Sequence, residues 1–263
     1  MKRQRLLLGL ILAGYLIITL AYGAINPLFE APDENWHFFT TTYIARNGRL
    51  PVVEDPPDPF LGQEAAQPPL YYLLGAALIA PVMPDDVQVW RDAIHENPFA
   101  WIGDASALAN VNRMVHTPAE AWPWATGWAR AAHLLRVFST LLGLGTLLCI
   151  YGAGRLLWPD SFTRPLLAVA LPAFLPQFNF LHASITNDAL VIFLCSLALW
   201  PLIGLWRDAA EAAPARLLLL GLTIGLAALS KNAGVLLLLY SLGFLAVMAL
   251  RDGRLRRYWR TAL

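Results

Sequence analysis

The chain has 263 residues, 57% of them AVILMFWYC and only 14% Asp, Glu, Lys or Arg, well below the roughly 25% charged of an average soluble domain, and this marks a membrane protein. Net charge is +1, from 19 Lys plus Arg against 18 Asp plus Glu, so no basic field recruits nucleic acid. Cys149 and Cys195 both sit inside apolar runs, without metal spacing or a disulfide framework, which sets zinc and redox chemistry aside.

The first apolar run, 6–25, follows Lys2, Arg3 and Arg5 and lacks a small-residue cleavage site, so it reads as a retained first span. Further spans are expected near 133–158, 165–181, 189–206, 217–229 and 233–250, with 165–181 and 217–229 marginal in length. The run 69–83, set between prolines, has the length of an interfacial or re-entrant helix. With six crossings and a cytoplasmic N-terminus, the inner side carries 12 of the 19 cations: Lys2, Arg3, Arg5, Arg155, Arg164, Arg207, Arg216 and the five arginines of 251–260. Making 69–83 a full crossing would invert every later loop and put most of those arginines outside, so six spans are preferred.

This topology leaves an outer loop, 26–130, that is acidic, rich in proline and rich in tryptophan. It is too apolar for a disordered linker and reads as partly helical, lying on the membrane. Trp36, Trp90, Trp101, Trp122, Trp124 and Trp128 suit the headgroup layer, where one ring edge is wet.

Polar residues interrupt this pattern at four places. In Pro32-Asp33-Glu34-Asn35-Trp36-His37 two acids and a histidine lie within five residues, and on a helix Asp33 and His37 share a face. Asp33 is also placed to cap that helix. In Gln67-Pro68-Pro69-Leu70-Tyr71-Tyr72 the prolines start a helix whose first turn holds two tyrosines, as aromatic anchors or as ligand contacts.

Thr186-Asn187-Asp188 stands at the mouth of the fourth span, after Gln177, Asn179 and His182; Asp188 is either a cap or a functional acid. Ser230-Lys231-Asn232 breaks a long apolar stretch, and its lysine suits an anionic headgroup as well as a solvated turn. Arg136, entering the second span, is a parallel case. All of these fall on the outer face at bilayer-boundary depth, as in a cleft of carboxylates and cations open to lipid.

These motifs, with Asn47-Gly48-Arg49-Leu50-Pro51 and Leu229-Ser230-Lys231, resemble in order and spacing the polyprenyl-phosphate-sugar-dependent glycosyltransferases of the GT-C superfamily, the protein O-mannosyltransferases and lipid A aminoarabinose transferases. The resemblance implies an all-α polytopic fold over 1–263 with interfacial helices in the outer loop. It further implies an inner-membrane location, with the N-terminus cytoplasmic and the active face extracytoplasmic. It maps a catalytic base onto Asp33, a phosphate-contacting lysine onto Lys231 and a second acidic position onto Asp188.

Chemistry agrees: a weakly nucleophilic acceptor needs a carboxylate within reach, and a departing polyprenyl phosphate needs cations. The expected reaction is inverting transfer of a sugar from a polyprenyl-phosphate donor, a lipid partner, to a protein, lipid or glycan acceptor. Glu34 and Asp188 would orient the acceptor or support the base, and Lys231, Arg136 and His37 would grip the phosphate. Gln67, Tyr71 and Asn187 complete the expected substrate contacts, without cofactor or metal.

Where aminoarabinose transferases carry an arginine after the first acid and a lysine or histidine before Pro-Pro-Leu-Tyr, this chain has Trp36 and Gln67, which leaves His37 and Arg136 as substitutes. Family members usually have eleven or more spans, so an N-terminal module or fragment is expected. The alternative is a non-catalytic protein that binds or translocates a lipid-linked sugar, which needs the cations but not Asp33.

Overall fold

The computed structural model describes residues 2–53, 60–83, 94–100, 112–123, 125, 127–207 and 213–251. Trp90, Trp101 and Trp124 of the expected aromatic belt lie outside these, as do Arg254, Arg256, Arg257 and Arg260 of the expected inner charge. The described residues form α1 (Lys2–Ile25), α2 (Glu34–Asn47), α3 (Leu70–Ile79), α4 (Gly127–Leu157), α5 (Arg164–Ala173), α6 (Pro176–His182), α7 (Asp188–Arg207), α8 (Ala213–Ser230) and α9 (Val235–Arg251). Short 3-10 turns and a lone bridge between Glu96 and Met114 complete them.

By length and composition α1, α4, α7 and the stretch Asn232–Leu250 can each cross a membrane, and α5 with α6 makes a fifth crossing bent by 65°. The molecule is an all-α polytopic membrane protein. The remaining expected span, 217–229, lies in α8, whose apolar part Pro214–Ser230 measures about 26 Å, short of the roughly 30 Å hydrocarbon core. Helix α3 is shorter still, about 15 Å. It cannot cross, and it buries Tyr71, Tyr72, Gly75, Ala76 and Ile79 while leaving Leu73, Leu74 and Leu78 exposed.

The bend between α5 and α6 has a local cause. Pro172 inside α5 and Pro176 at the start of α6 remove ladder donors, which frees carbonyls that hydrocarbon cannot solvate. Asn179 sits at the break: its Nδ2 donates to the carbonyls of Ala173 and Leu175 at 3.0 Å each, and its Oδ1 accepts from Thr19 Oγ1 at 2.6 Å. The polar residues at this break therefore tie α6 to α1. Tyr15 of α1 donates to the Thr140 carbonyl of α4 at 2.9 Å. The contact requires Gly143, where a Cβ would overlap the Tyr15 hydroxyl and the His182 ring.

Helix α4 is central, touching α1, α3, α5, α6 and α7, while α2 packs on α3, and α3 also touches α8. Helix α2 stops at Gly48, which takes φ 61° and donates its N–H to the Ile44 carbonyl at 3.0 Å, a left-handed C-cap that costs glycine little. Fully buried Phe38, Tyr71, Tyr72, Ile79 and Leu135 join α2, α3 and α4. Each such side chain contributes about 1.5–3 kcal/mol when removed from water.

Trp36 belongs to this packing as well as to the surface. It covers Gly62, where φ is +53° and a Cβ would strike the indole, and the Arg113 guanidinium lies 6.0 Å from its ring. Trp128 stacks on Phe29 at 6.0 Å, whereas Trp122 remains exposed.

Candidate active site

The polar residues gather where α1 ends, α4 and α7 begin, and α8 ends. The centre of this region is an ion pair sealed from solvent: Glu34 is 0% exposed and Arg136 3%. Arg136 Nε and Nη2 donate to the two Glu34 oxygens at 2.7 Å each. Its remaining N–H groups reach the carbonyls of Gly23, Asn26 and Pro27 at 2.7–3.0 Å. Glu34 also accepts the backbone N–H groups of Phe29 at 2.9 Å and Ile185 at 3.0 Å.

Five guanidinium donors and about four carboxylate lone-pair sites are thus all engaged. Acceptor orientation by Glu34 and phosphate contact by Arg136 find no free position on either group. The pair instead joins the exit of α1, the start of α2, the body of α4 and the loop before α7.

Asp33, next to Glu34, sits at the N-cap position of α2 with φ 58° and makes no side-chain cap hydrogen bond. Its half-buried carboxylate has no hydrogen-bond partner among the described residues. A left-handed non-glycine residue is a sparsely populated conformation, one that aspartate tolerates better than most, and such outliers concentrate at working sites. Phe29, also left-handed at φ 69°, brackets the same turn.

Asp188 and Lys231 form a second pair, Oδ1 to Nζ 2.7 Å, with side chains 38% and 29% exposed. Unlike Glu34 and Arg136, both members of this pair reach solvent. A buried chain of hydrogen bonds joins α2 to α3: His37 Nδ1 is 2.9 Å from the Tyr72 hydroxyl, which donates to Glu64 Oε2 at 2.6 Å.

Burial pushes the His37 imidazole down to about 4, with Lys231 acting the same way and Asp188 against it. Burial likewise raises the Glu64 carboxyl; the Tyr72 hydrogen bond opposes the rise, Asp33 adds to it and Lys231 opposes it. The Tyr72 hydroxyl is raised by burial and by Glu64. These mutual influences show that Asp33, His37, Glu64, Tyr72, Asp188 and Lys231 share one electrostatic neighbourhood.

The other expected site residues divide. Tyr71 is fully buried with its hydroxyl 3.1 Å from Ser139 Oγ, so it packs α3 against α4. Asn187 is 0% exposed and neither end of its amide has a partner; Gln67 Oε1 is likewise buried without one. Orphaned buried amides are uncommon and call for an explanation.

Sequence reading missed Glu64, which has no motif of its own and meets His37 only through the fold. It also missed Glu30, whose carboxylate accepts from the backbone of Arg113 and Met114 at 2.9 Å each and lies 2.8 Å from His116 Nε2. His116 Nδ1 in turn lies 2.9 Å from Glu120, so the loop 112–120 is tied to the end of α1. Burial would raise the Glu30 carboxyl, but the donors from Met114, His116 and Arg113 outweigh it and hold it below its ordinary value. Among the described residues no three His, Cys, Asp or Glu side chains converge as a metal set.

The family model for dolichyl-phosphate-mannose-protein mannosyltransferase matches residues 130–262. The chain belongs to that family, and it is a membrane glycosyltransferase of the GT-C type. The match takes in Arg136, Asn187, Asp188 and Lys231; Asp33, Glu34, His37, Gln67 and Tyr71 precede it. Neither the curated proteins nor the solved structures include a match to the chain.

Proposed function

We propose that this protein transfers a sugar from a polyprenyl-phosphate donor to an acceptor hydroxyl or amide at the extracytoplasmic face of the inner membrane. Its N-terminus would be cytoplasmic, and 1–263 would act as one module of six crossings, with α8 completing the set.

Asp33 takes the acceptor proton as the acceptor atom attacks the anomeric carbon. The carbon–oxygen bond to phosphate breaks on the opposite side, its electron pair leaving with the phosphate, so the anomeric centre inverts. A phosphate leaving group needs no general acid. Lys231 parts from Asp188 when the donor binds and holds the developing phosphate charge. Asp188, released, orients the acceptor. Asn187 and Gln67 supply hydrogen-bonding groups to the ligands, which accounts for their unpartnered amides. Glu34, Arg136 and Tyr71 hold the frame.

The observation that carries this reading is that an Asp33 carboxylate without a hydrogen bond and a lysine held by a half-exposed aspartate both act electrostatically on Glu64. The test is incubation of membranes containing the protein with radiolabelled polyprenyl-phosphate mannose, following label into membrane acceptors or water. Label transfer above control membranes is expected. Donor binding without transfer would instead establish a lipid-linked-sugar binding protein.

A further inference from the structure

Glu64, Tyr72 and His37 form a chain whose proton order follows from chemistry. With Glu64 ionised its carboxylate only accepts, so the single Tyr72 hydroxyl proton is committed to Glu64 Oε2 at 2.6 Å. The Tyr72 oxygen can then only accept, and the atom 2.9 Å from it is His37 Nδ1. That nitrogen therefore carries the imidazole proton, and in a neutral ring Nε2 is a bare lone pair.

The ring is held in place, stacked on Tyr72 at 5.8 Å and meeting Tyr71 edge-on at 6.5 Å. Burial and the Lys231 charge both oppose a second proton. Nε2 has no hydrogen-bond partner among the described residues, although the ring is only 5% exposed. Nε2 is not among the fully buried unpartnered atoms, so the small exposed part of the ring leaves this lone pair open to a donor brought by a ligand. Phosphate oxygens bring none: a lone pair facing them repels.

We propose that His37 Nε2 accepts a hydrogen bond from a hydroxyl of the sugar in the bound donor, and that Glu64 and Tyr72 are positioning residues which fix His37 as the Nδ1–H tautomer. The identity of the ligand rests on the transferase reading; the tautomer does not. His37 thereby reads the sugar, and phosphate recognition falls to Lys231. A proton on Glu64 would reverse the chain, placing the imidazole proton on Nε2 and turning His37 into a donor.

The test is nitrogen-15 NMR of the full chain labelled at histidine, with His37 assigned by the resonances lost in His37→Gln. At pH 7 the expected spectrum has a protonated Nδ1 and a bare Nε2, and in Tyr72→Phe the tautomers should mix. A protonated Nε2 in the wild type, or a tautomer indifferent to Tyr72→Phe, overturns the proposal even if transfer is active.

Deoxy-sugar donors test the contact. Removal of one hydroxyl should weaken KM about tenfold against wild type and about equally against His37→Gln, whose amide oxygen can still accept. The penalty should vanish against His37→Phe, whose ring has no lone pair to accept the hydroxyl proton. If the wild type does not turn over, the transferase reading fails, and the same comparison is made on the Kd of radiolabelled donor. An unchanged penalty in His37→Phe sinks the hydroxyl contact by either readout.

Discussion

Arg136 and Glu34 satisfy each other and the backbone around them together: the guanidinium spends two N–H groups on the carboxylate and three on the carbonyls of Gly23, Asn26 and Pro27. The carboxylate takes two more donors from Phe29 and Ile185. Removing either partner would leave a buried charge and several buried polar groups unmatched, at a cost of roughly 3–5 kcal/mol. Glu34→Gln and Arg136→Leu should each lower the melting temperature in detergent and reduce the folded yield. The double exchange E34R/R136E should not restore stability, because a carboxylate at position 136 would face three carbonyls. Recovery to wild-type melting in the exchange would show that the pair acts through charge alone.

Asp33 should be separable from stability. Its carboxylate caps nothing, and its φ of 58° is one that asparagine also accepts readily. Asp33→Asn is expected to melt within about 0.5 kcal/mol of wild type, as for a surface change away from structural contacts. Transfer should fall by roughly 10²–10⁴, the usual contribution of a positioned base. A stability loss matching that of Glu34→Gln would assign Asp33 to the frame.

Lys231 and Asp188 should diverge when mutated singly. Partly exposed pairs contribute under about 1 kcal/mol to stability, so neither Lys231→Ala nor Asp188→Asn should shift melting much. Lys231→Ala should weaken donor affinity at least tenfold. Asp188→Asn, which leaves the lysine unneutralised, should hold or improve donor affinity while lowering kcat. Equal weakening by both would mean that the closed pair is the form that binds.

Acid should destabilise the protein through His37. Its folded-state value is pushed down to about 4 from 6.5, so the unfolded chain takes up the proton first. The stability this contributes is full above pH 6.5 and is lost as pH falls toward 4, on the order of 3 kcal/mol in all. Glu64, shifted upward by burial, acts oppositely: it adds stability as pH falls through its raised value toward 4.5. Melting in detergent at pH 7 and pH 5 should drop less for His37→Gln than for wild type. It should drop more for Glu64→Gln, and equal drops in all three proteins would contradict the assignment of these shifts.

The spans were legible because hydrocarbon thickness imposes long apolar runs, and 165–181 was marginal by length, whereas its 65° bend follows from Pro172 and Pro176. Asp33, Asp188 and Lys231 were legible as polar interruptions at span ends. What each touches was not. Arg136 looks like a free cation in one dimension, and only the arrival of Glu34 and three carbonyls from elsewhere in the chain shows it to be saturated. Glu64 gave no signal because its partners lie 8 and 27 positions away by number in the chain and are brought to it by the packing of α2 on α3. Trp36 resembled a headgroup ring, but the left-handed turn at Gly62 lays backbone against it.

A base at Asp33 and a phosphate grip at Lys231 are separated by a paired measurement on purified membranes: donor binding and label transfer from radiolabelled polyprenyl-phosphate mannose for wild type, Asp33→Asn and Lys231→Ala. The expected outcome is wild-type transfer, Asp33→Asn that binds donor normally and does not transfer, and Lys231→Ala that has lost donor affinity. Transfer that survives in Asp33→Asn, or donor binding that ignores Lys231, would contradict it.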